Sequence, residues 1–480
     1  MNLVRSALKI FSANVVSSVL SFLAIVLFSQ ELGAAPLGTY YPFLALLGLL
    51  AIPADFGISA ATEKRLSEGS DPGSFLSTAL VLKLPPLVLI GTLIILAQTQ
   101  INQYLGEDIA LLLVVVLFVQ EGANMSLSVL RGELRTGQTA LVRILRPVGF
   151  LTVGYLLIAQ GYGLIALIYG YLAGTVAMLV AGWWRVSTSF ARPKISHARS
   201  LFDYGKFSVV SSLGGYFYSW MDVAILSLFV SLELTATRAD IGAYENAWRV
   251  SMIVLLLGRA IATTIFPQMS KWDAEDATDR IENVLPTAML PALLIVIPAF
   301  AGTIVLSDEI LRILFGPEFT TAWLVLIILM GEKIFQAVHI MLGRSLQALD
   351  NPDLAAYATA VAITVNLVLN VVLIWQFGIA GAAVATAISF VVNTGLHTHY
   401  LNKFITVDFP VAEMLWSVAA SVVMAFVLYR IQLLMTITDI VELLAVVTCG
   451  VVIYGLVLFS SETIRVRVSD ALRPVVDGLT

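Results

Sequence analysis

Apolar runs of about twenty residues alternate with short polar stretches along the whole chain. Eighteen or more consecutive apolar residues match the hydrocarbon thickness of a bilayer, so each run predicts a transmembrane helix. Fourteen spans are read, near residues 8–30, 38–60, 74–98, 108–130, 140–160, 163–184, 205–231, 242–266, 284–306, 319–342, 354–376, 378–399, 411–431 and 438–460. Together they leave no room for a folded soluble domain. The predicted class is an all-α integral membrane protein with about 14 transmembrane helices.

The polar stretches set the orientation. With the N-terminus in the cytoplasm, twenty of the 27 Lys and Arg residues fall in inner loops. Three (Arg238, Arg312 and Arg430) fall in outer loops, and four (Lys83, Arg249, Arg259 and Lys333) fall inside spans. Cytoplasmic loops carry the excess of positive charge, and one helix more or fewer in the middle would scramble the partition. An even number of spans with both termini in the cytoplasm is therefore expected, in the cell membrane. Arg5 and Lys9 precede an apolar stretch, Ile10 to Phe28, that lacks a small-residue cleavage site, so it reads as a retained first helix.

Composition narrows the function. Hydrophobic residues make up 59% of the chain, charged residues 12%, and the mean hydropathy is +0.92. A net charge of -5 without a basic face argues against nucleic acid as a partner. Cys449 is the single cysteine, which excludes an internal disulfide and a thiolate zinc site. Of His197, His339, His397 and His399, only His339 is read as lying within the bilayer, so no metal site is indicated; a satisfied polar role explains it more simply than a proton relay. The longest outer loop, near Ser231 to Asp240, is too short for the polar platform of a membrane glycosyltransferase, polymerase or protease. The chain reads as a non-enzyme.

A faint internal duplication runs through the spans. Val15-Val16-Ser17-Ser18 recurs as Val209-Val210-Ser211-Ser212, and Leu37-Gly38-Thr39-Tyr40 as Ile241-Gly242-Ala243-Tyr244. Leu130-Arg131-Gly132 resembles Leu342-Gly343-Arg344, and Gln160-Gly161-Tyr162-Gly163 resembles Gln376-Phe377-Gly378. Their order and constant shift of six spans predict two parallel six-helix bundles around a central cavity, related by an axis along the membrane normal. The expected organisation is 1–199, 200–403, and a final pair of helices with a cytoplasmic tail, 404–480. That is the architecture of an alternating-access transporter.

The stretch from Gln30 to Arg65 carries Leu32, Gly33, Gly38 and Tyr40 between the first two spans and Phe56-Gly57 near the end of the second. With Tyr216 to Leu228, Gly242 to Arg249, Phe266-Pro267 and Gly378 to Ala383, this resembles the polysaccharide transport family of flippases. That family belongs to the superfamily that also holds multidrug exporters and peptidoglycan-precursor flippases. The resemblance covers residues 5 to 400. It implies translocation of a lipid-linked oligosaccharide from the cytoplasmic to the outer leaflet, for surface polysaccharide or glycoprotein assembly. Membrane lipids and glycan-assembly proteins would be the further partners. It also suggests that the last two helices help receive the lipid tail, in keeping with the expectation that they carry almost no buried polar groups.

A charge inside the hydrocarbon is costly, so Lys83, Glu121, Asp222, Glu245, Arg249, Arg259, Glu332 and Lys333 are expected to face protein or water. Helical spacing places several on common faces. Ser208, Ser212, Gly215, Ser219 and Asp222 form a stripe on the seventh span, and Asn14, Ser18 and Ser21 a shorter one on the first. Glu121, Asn124, Ser128 and Arg131 share a face of the fourth, and Lys333, Gln336 and Arg344 a face of the tenth. Close helix packing also uses such small residues and accounts for the first-span stripe, whereas the aspartate in line on the seventh favours a cavity wall. Glu245 and Arg249 stand one turn apart and can neutralise each other. Glu332 and Lys333 are adjacent and diverge around the helix, so their pairing is expected to be weaker.

A polyisoprenyl phosphate or pyrophosphate has an anionic, strongly hydrated head, and Arg or Lys in a wet cavity can replace part of that hydration. Lys83, Arg249, Arg259 and Lys333 are the candidate headgroup contacts, on the expectation of excess positive charge at depth. Asp222, Glu121, Ser219 and Asn124 are candidates for cavity lining or for coupling to Na+ or H+; no cofactor is expected. The rivals are a cation-coupled multidrug exporter of the same superfamily, a membrane glycan polymerase or ligase, and an assembly scaffold.

Overall fold

The computed structural model describes residues 3–467; the side chains of residues 3–14, 207, 210–215 and 218 are not among those described. Arg5, Lys9, Asn14, Val210, Ser211, Ser212, Gly215 and Arg473 accordingly lie outside the described residues as far as their side chains are concerned. Every regular element among the described residues is helical.

The chain forms two compact units, Met1–Gly242 and Ala243–Thr480. The first holds α1 (Leu3–Leu32), α2 (Ala34–Asp55), α3 (Ile58–Ser67), α4 (Pro72–Leu96), α5 (Gln98–Leu105), α6 (Ala110–Gly132), α7 (Thr136–Ile158), α8 (Leu164–Arg185) and α9 (Ile195–Ser231). α10 (Arg238–Met252) begins in the first unit and continues into the second. The second unit adds α11 (Leu256–Ala274), α12 (Thr278–Phe315), α13 (Trp323–Ala348), α14 (Pro352–Leu401), α15 (Val411–Leu434) and α16 (Ile440–Leu458).

Among the described residues, twelve helical stretches are long and apolar enough to cross a membrane. The sequence count of fourteen differs from this at two places. Predicted spans 354–376 and 378–399 run on as the single α14, and of α9 only Ser219–Ser231 qualifies as an apolar helix, a short one. The chain is a multi-pass membrane protein.

α14 is interrupted at Gly378, whose backbone sits at φ 57, ψ -136. Gly163, at the start of α8, has φ 55, ψ -135. These are the corresponding glycines of the Gln160 and Gln376 repeats, and they adopt one conformation that a side chain would oppose. A second repeat is explained by contact. A Cβ at Gly38 would lie 1.6 Å from the Arg238 carbonyl oxygen, and one at Gly242 would lie 2.2 Å from that of Ala34. The two similar tetrads place glycine where the backbones at the starts of α2 and α10 come together.

Apolar clusters hold each unit together. Ile58, Leu76, Met125 and Leu201 join α3, α4, α6 and α9. Leu285, Met289, Met341 and Leu346 join α12 to α13, while Leu294, Met424, Leu428 and Tyr454 join α12 to α15 and α16. The expectation of few buried polar groups in the last two helices is corrected here. Glu413, Ser417 and Ser421 are buried on α15. Buried polar groups need partners: Glu413 pairs with Arg467 at 2.8 Å, and Ser417 with the Tyr454 hydroxyl, which also donates to the Leu294 carbonyl.

Between α8 and α9 the chain runs without helix and is pinned along its length. The Ser187 and Thr188 amides and the Thr188 hydroxyl all donate to Glu133 Oε1, at 2.7 to 2.8 Å. Ala191 and Lys194 amides donate to Ser77 and Thr78, and Ser74 donates to the Arg192 carbonyl. Desolvation pushes the Glu133 carboxyl upward, but the Thr188 and Ser187 donors outweigh it and hold the group below its ordinary range.

Candidate functional site

In the first unit α2 stops at Asp55, short of residue 60, because Phe56 and Gly57 both take left-handed conformations, φ 49 and φ 72. A Cβ on Gly57 would also approach the Gly205 carbonyl oxygen to 2.1 Å. The reversal carries the Asp55 carboxylate to the first turn of α3. There the Ser59 amide donates to both carboxylate oxygens at 3.3 Å, and the Ser59 hydroxyl donates to Oδ1. Backbone N–H groups at a helix N-terminus favour an anion.

Lys83, buried on α4, points into this corner. Its Nζ lies 2.6 Å from Asp55 Oδ1 and 2.8 Å from Glu121 Oε2 on α6, and it donates to Ser59 Oγ at 3.0 Å. A cavity of about 320 Å3 adjoins the cluster. Asp55, Ser59, Glu63 and Arg143 line it, together with one face of α6: Glu121, Asn124, Ser128 and Arg131. Arg131 Nε donates to Glu63 at 2.6 Å and its Nη2 to Ser128 at 2.9 Å. Arg143, on α7, is exposed and has no ion-pair partner among the described residues.

The second unit distributes its charges differently. Arg249 Nη2 meets Glu245 at 2.9 Å, one turn away on α10. On α13, Lys333 Nζ lies 2.5 Å from Glu332 Oε2, with both side chains almost wholly buried. This corrects the expectation that neighbouring side chains diverge: the flexible lysine stem folds back, because an unpaired ammonium in apolar surroundings would cost more than the bend. The Trp248 and Phe390 rings stand 5.9 Å from the same ammonium. Arg259 on α11 is exposed and forms no ion pair among the described residues. Asp222 is half-buried on α9 and Ser219 exposed there, while Gln336 is half-buried and Arg344 exposed over the Phe266 ring.

The expected excess of positive charge is thus corrected at three of the four cations, which bring their own carboxylates. His339 has a second histidine beside it. His397 is 1% exposed on α14, with its ring centroid 4.5 Å from that of His339. The sequence reading passed over Asp55, Ser59 and Arg143. Asp55 was detectable as the acid immediately before Phe56-Gly57, but its partner on α4 was not.

The second unit also holds an apolar pocket of about 410 Å3, lined by α12, α15 and α16 through residues such as Leu294, Pro298, Leu306, Met424, Leu428 and Val451. A charged cavity and an apolar one therefore occur in one chain, in separate units. Among the described residues no group of His, Cys, Asp and Glu is placed to hold a metal ion.

Residues 32–324 match the family model described as polysaccharide biosynthesis protein. The chain belongs to the polysaccharide biosynthesis protein family. It is 48% identical, over 97% of its own length and 97% of the relative's, to a probable low-salt glycan biosynthesis flippase of Haloferax volcanii. A second probable flippase of that organism is 30% identical over 98% of each chain. Among solved structures, the lipid II flippase MurJ in an inward closed conformation superposes with a TM-score of 0.77 at 19% identity, covering 97% of this chain and 99% of that one. An inward-facing multidrug resistance MATE family transporter of the MOP superfamily gives 0.62 at 16% identity, over 80% of this chain and 93% of that one. These two likenesses show that the chain shares their helical fold.

Proposed function

We propose that this member of the family is a flippase that moves a polyisoprenyl-(pyro)phosphate-linked oligosaccharide from the cytoplasmic to the outer leaflet by alternating access. The observation that carries the reading is the coexistence of two hollows of opposite chemistry. The polar cavity beside Lys83 offers Arg131, Arg143, Asn124 and Ser128 to a hydrated anionic head. The apolar pocket against α15 and α16 is lined mostly by hydrocarbon, with Thr303 and Tyr454 as polar exceptions, as suits an isoprenoid tail. The names of the two full-length relatives point the same way.

Of the four candidate headgroup contacts, Lys83, Arg249, Arg259 and Lys333, the surroundings favour Arg259 and Lys83 and place Lys333 last. Arg259 binds a phosphate without first breaking an ion pair, and Lys83 stands at the polar cavity. Arg249 is partly exposed beside Glu245, and Lys333 is sealed with Glu332. Guanidinium is suited to bidentate phosphate contacts. Asp222, Glu121, Ser219 and Asn124 serve as lining or coupling groups for Na+ or H+ in this reading. The protein resides in the cytoplasmic membrane with both termini inside and is not an enzyme.

Replacing each of the four cations by Ala and measuring glycan export in cells tests the reading. Loss of export with Arg259 and Lys83 is the expected result; near-normal export for all four discards the headgroup site. Reporter fusions at both termini test the orientation. Extrusion of cationic dyes by vesicles, with surface glycans intact in a deletion strain, would instead favour the multidrug exporter.

A further inference from the structure

We propose that the Lys83 cluster is a proton-exchange site: the phosphate of an anionic polyisoprenoid headgroup takes Lys83 as Glu121 takes a proton from water. The inference rests on the headgroup reading above and adds to it the identity and place of a coupled ion.

The argument begins with charge. One ammonium is shared by two carboxylates, 2.6 and 2.8 Å away, so the fully ionised cluster is net negative and repels an incoming phosphate. A phosphate that captures Lys83 strips both carboxylates of their counter-charge, and the two are not equally prepared for it. Asp55 keeps the Ser59 amide and hydroxyl at the N-terminal turn of α3. Among the described residues Glu121 keeps only the Asn124 amide, at 3.5 Å the limit of a hydrogen bond, and it is 2% exposed. A buried carboxylate without a cation or strong donors is stable only when neutral. Glu121 is therefore the group that takes the proton.

The remaining charges facing the cavity do not change this assignment. Glu63 on α3 is held by Arg131 on α6. Arg143 on α7 adds one positive charge and assists the phosphate. α9, which packs against α2, α3 and α4, contributes Val209 to the lining among the described residues. The adjoining cavity supplies the water through which the proton arrives. The O–H bond formed at Glu121 is matched by the O–H bond broken in the hydronium or buffer acid that supplies the proton, and release of the headgroup reverses both and returns Lys83 to the carboxylates. Headgroup and proton then cross together from the cytoplasmic to the outer side, so the step is favoured by a more acidic cytoplasmic side and opposed by an acidic exterior.

Titration calorimetry of the purified full-length protein with polyisoprenyl pyrophosphate, in two buffers of different ionisation enthalpy, tests this directly. The wild type is expected to take up about one proton per ligand bound. Its affinity should fall about tenfold per pH unit across the range where Glu121 is ionised in the free protein, as one linked proton requires. Glu121→Gln should bind with no proton uptake and no such slope. Binding by the wild type without proton uptake overturns the proposal and leaves the flippase reading standing. A Glu121→Gln variant that still takes up a proton moves the site elsewhere and overturns it as well. Absence of wild-type binding overturns the headgroup reading and this inference with it. The two-buffer comparison needs only the wild type, so it decides the matter even where the variant fails to fold.

Discussion

Among the described residues two lysines are buried, one in each unit, and their surroundings differ. Lys83 is shared by Asp55, Glu121 and Ser59 from three other helices, beside a polar cavity. Lys333 is folded onto its own neighbour Glu332 between aromatic rings. Depth alone says little about role. A charge with several competing partners next to water is exchangeable, whereas one sealed with a single partner is a dipole that packs like any polar side chain.

The comparison breaks most easily at Lys83. Lys83→Ala leaves two buried carboxylates uncompensated and should cost about 3–5 kcal/mol, with export down at least tenfold. Neutralising all three groups, as Lys83→Met with Asp55→Asn and Glu121→Gln, should recover thermal stability but not export. Recovery of both would make the cluster a mere strut. Lys333→Ala strands one carboxylate and is expected to lose slightly less stability. Replacing Glu332 and Lys333 together by Leu should be close to neutral in both melting temperature and export, since buried pairs are often replaceable by apolar residues. A tenfold export defect in that double variant would erase the distinction between the two lysines.

Smaller effects probe what the two units share. Gly163→Ala and Gly378→Ala each force a side chain into a strained conformation and should each cost about 1–3 kcal/mol, read by thermal unfolding. Markedly unequal losses would deny the two turns a common origin. The smallest effect is expected at Glu133. Its folded-state pKa lies below the unfolded value, so its contribution is present above the ordinary carboxylate range and is lost as pH falls through the lowered one. Hydrogen exchange of the Ser187 and Thr188 amides should accelerate there in the wild type, and already be fast at neutral pH in Glu133→Ala.

The helices were legible because hydrocarbon thickness writes itself into run length. α2 ended early for a reason that run length cannot hold: the turn at Phe56-Gly57 is set by backbone conformation and by the approach of Gly205. The α6 face of the cavity, Glu121 to Arg131, was readable because helical period alone aligns it. Asp55 and Arg143 complete that wall from α2 and α7, and contacts between helices leave no spacing in one sequence. Glu332 beside Lys333 was misjudged because helical geometry fixes where Cβ atoms point and not where a long stem can fold.

The twin backbone angles at Gly163 and Gly378 speak to ancestry. A conformation matched to within a few degrees in both halves is most simply inherited from a single progenitor that already made this bend before its gene doubled. The cluster around Lys83, with no counterpart of the same kind among the described residues of the other half, would then have been added afterwards, as the copies divided their labour.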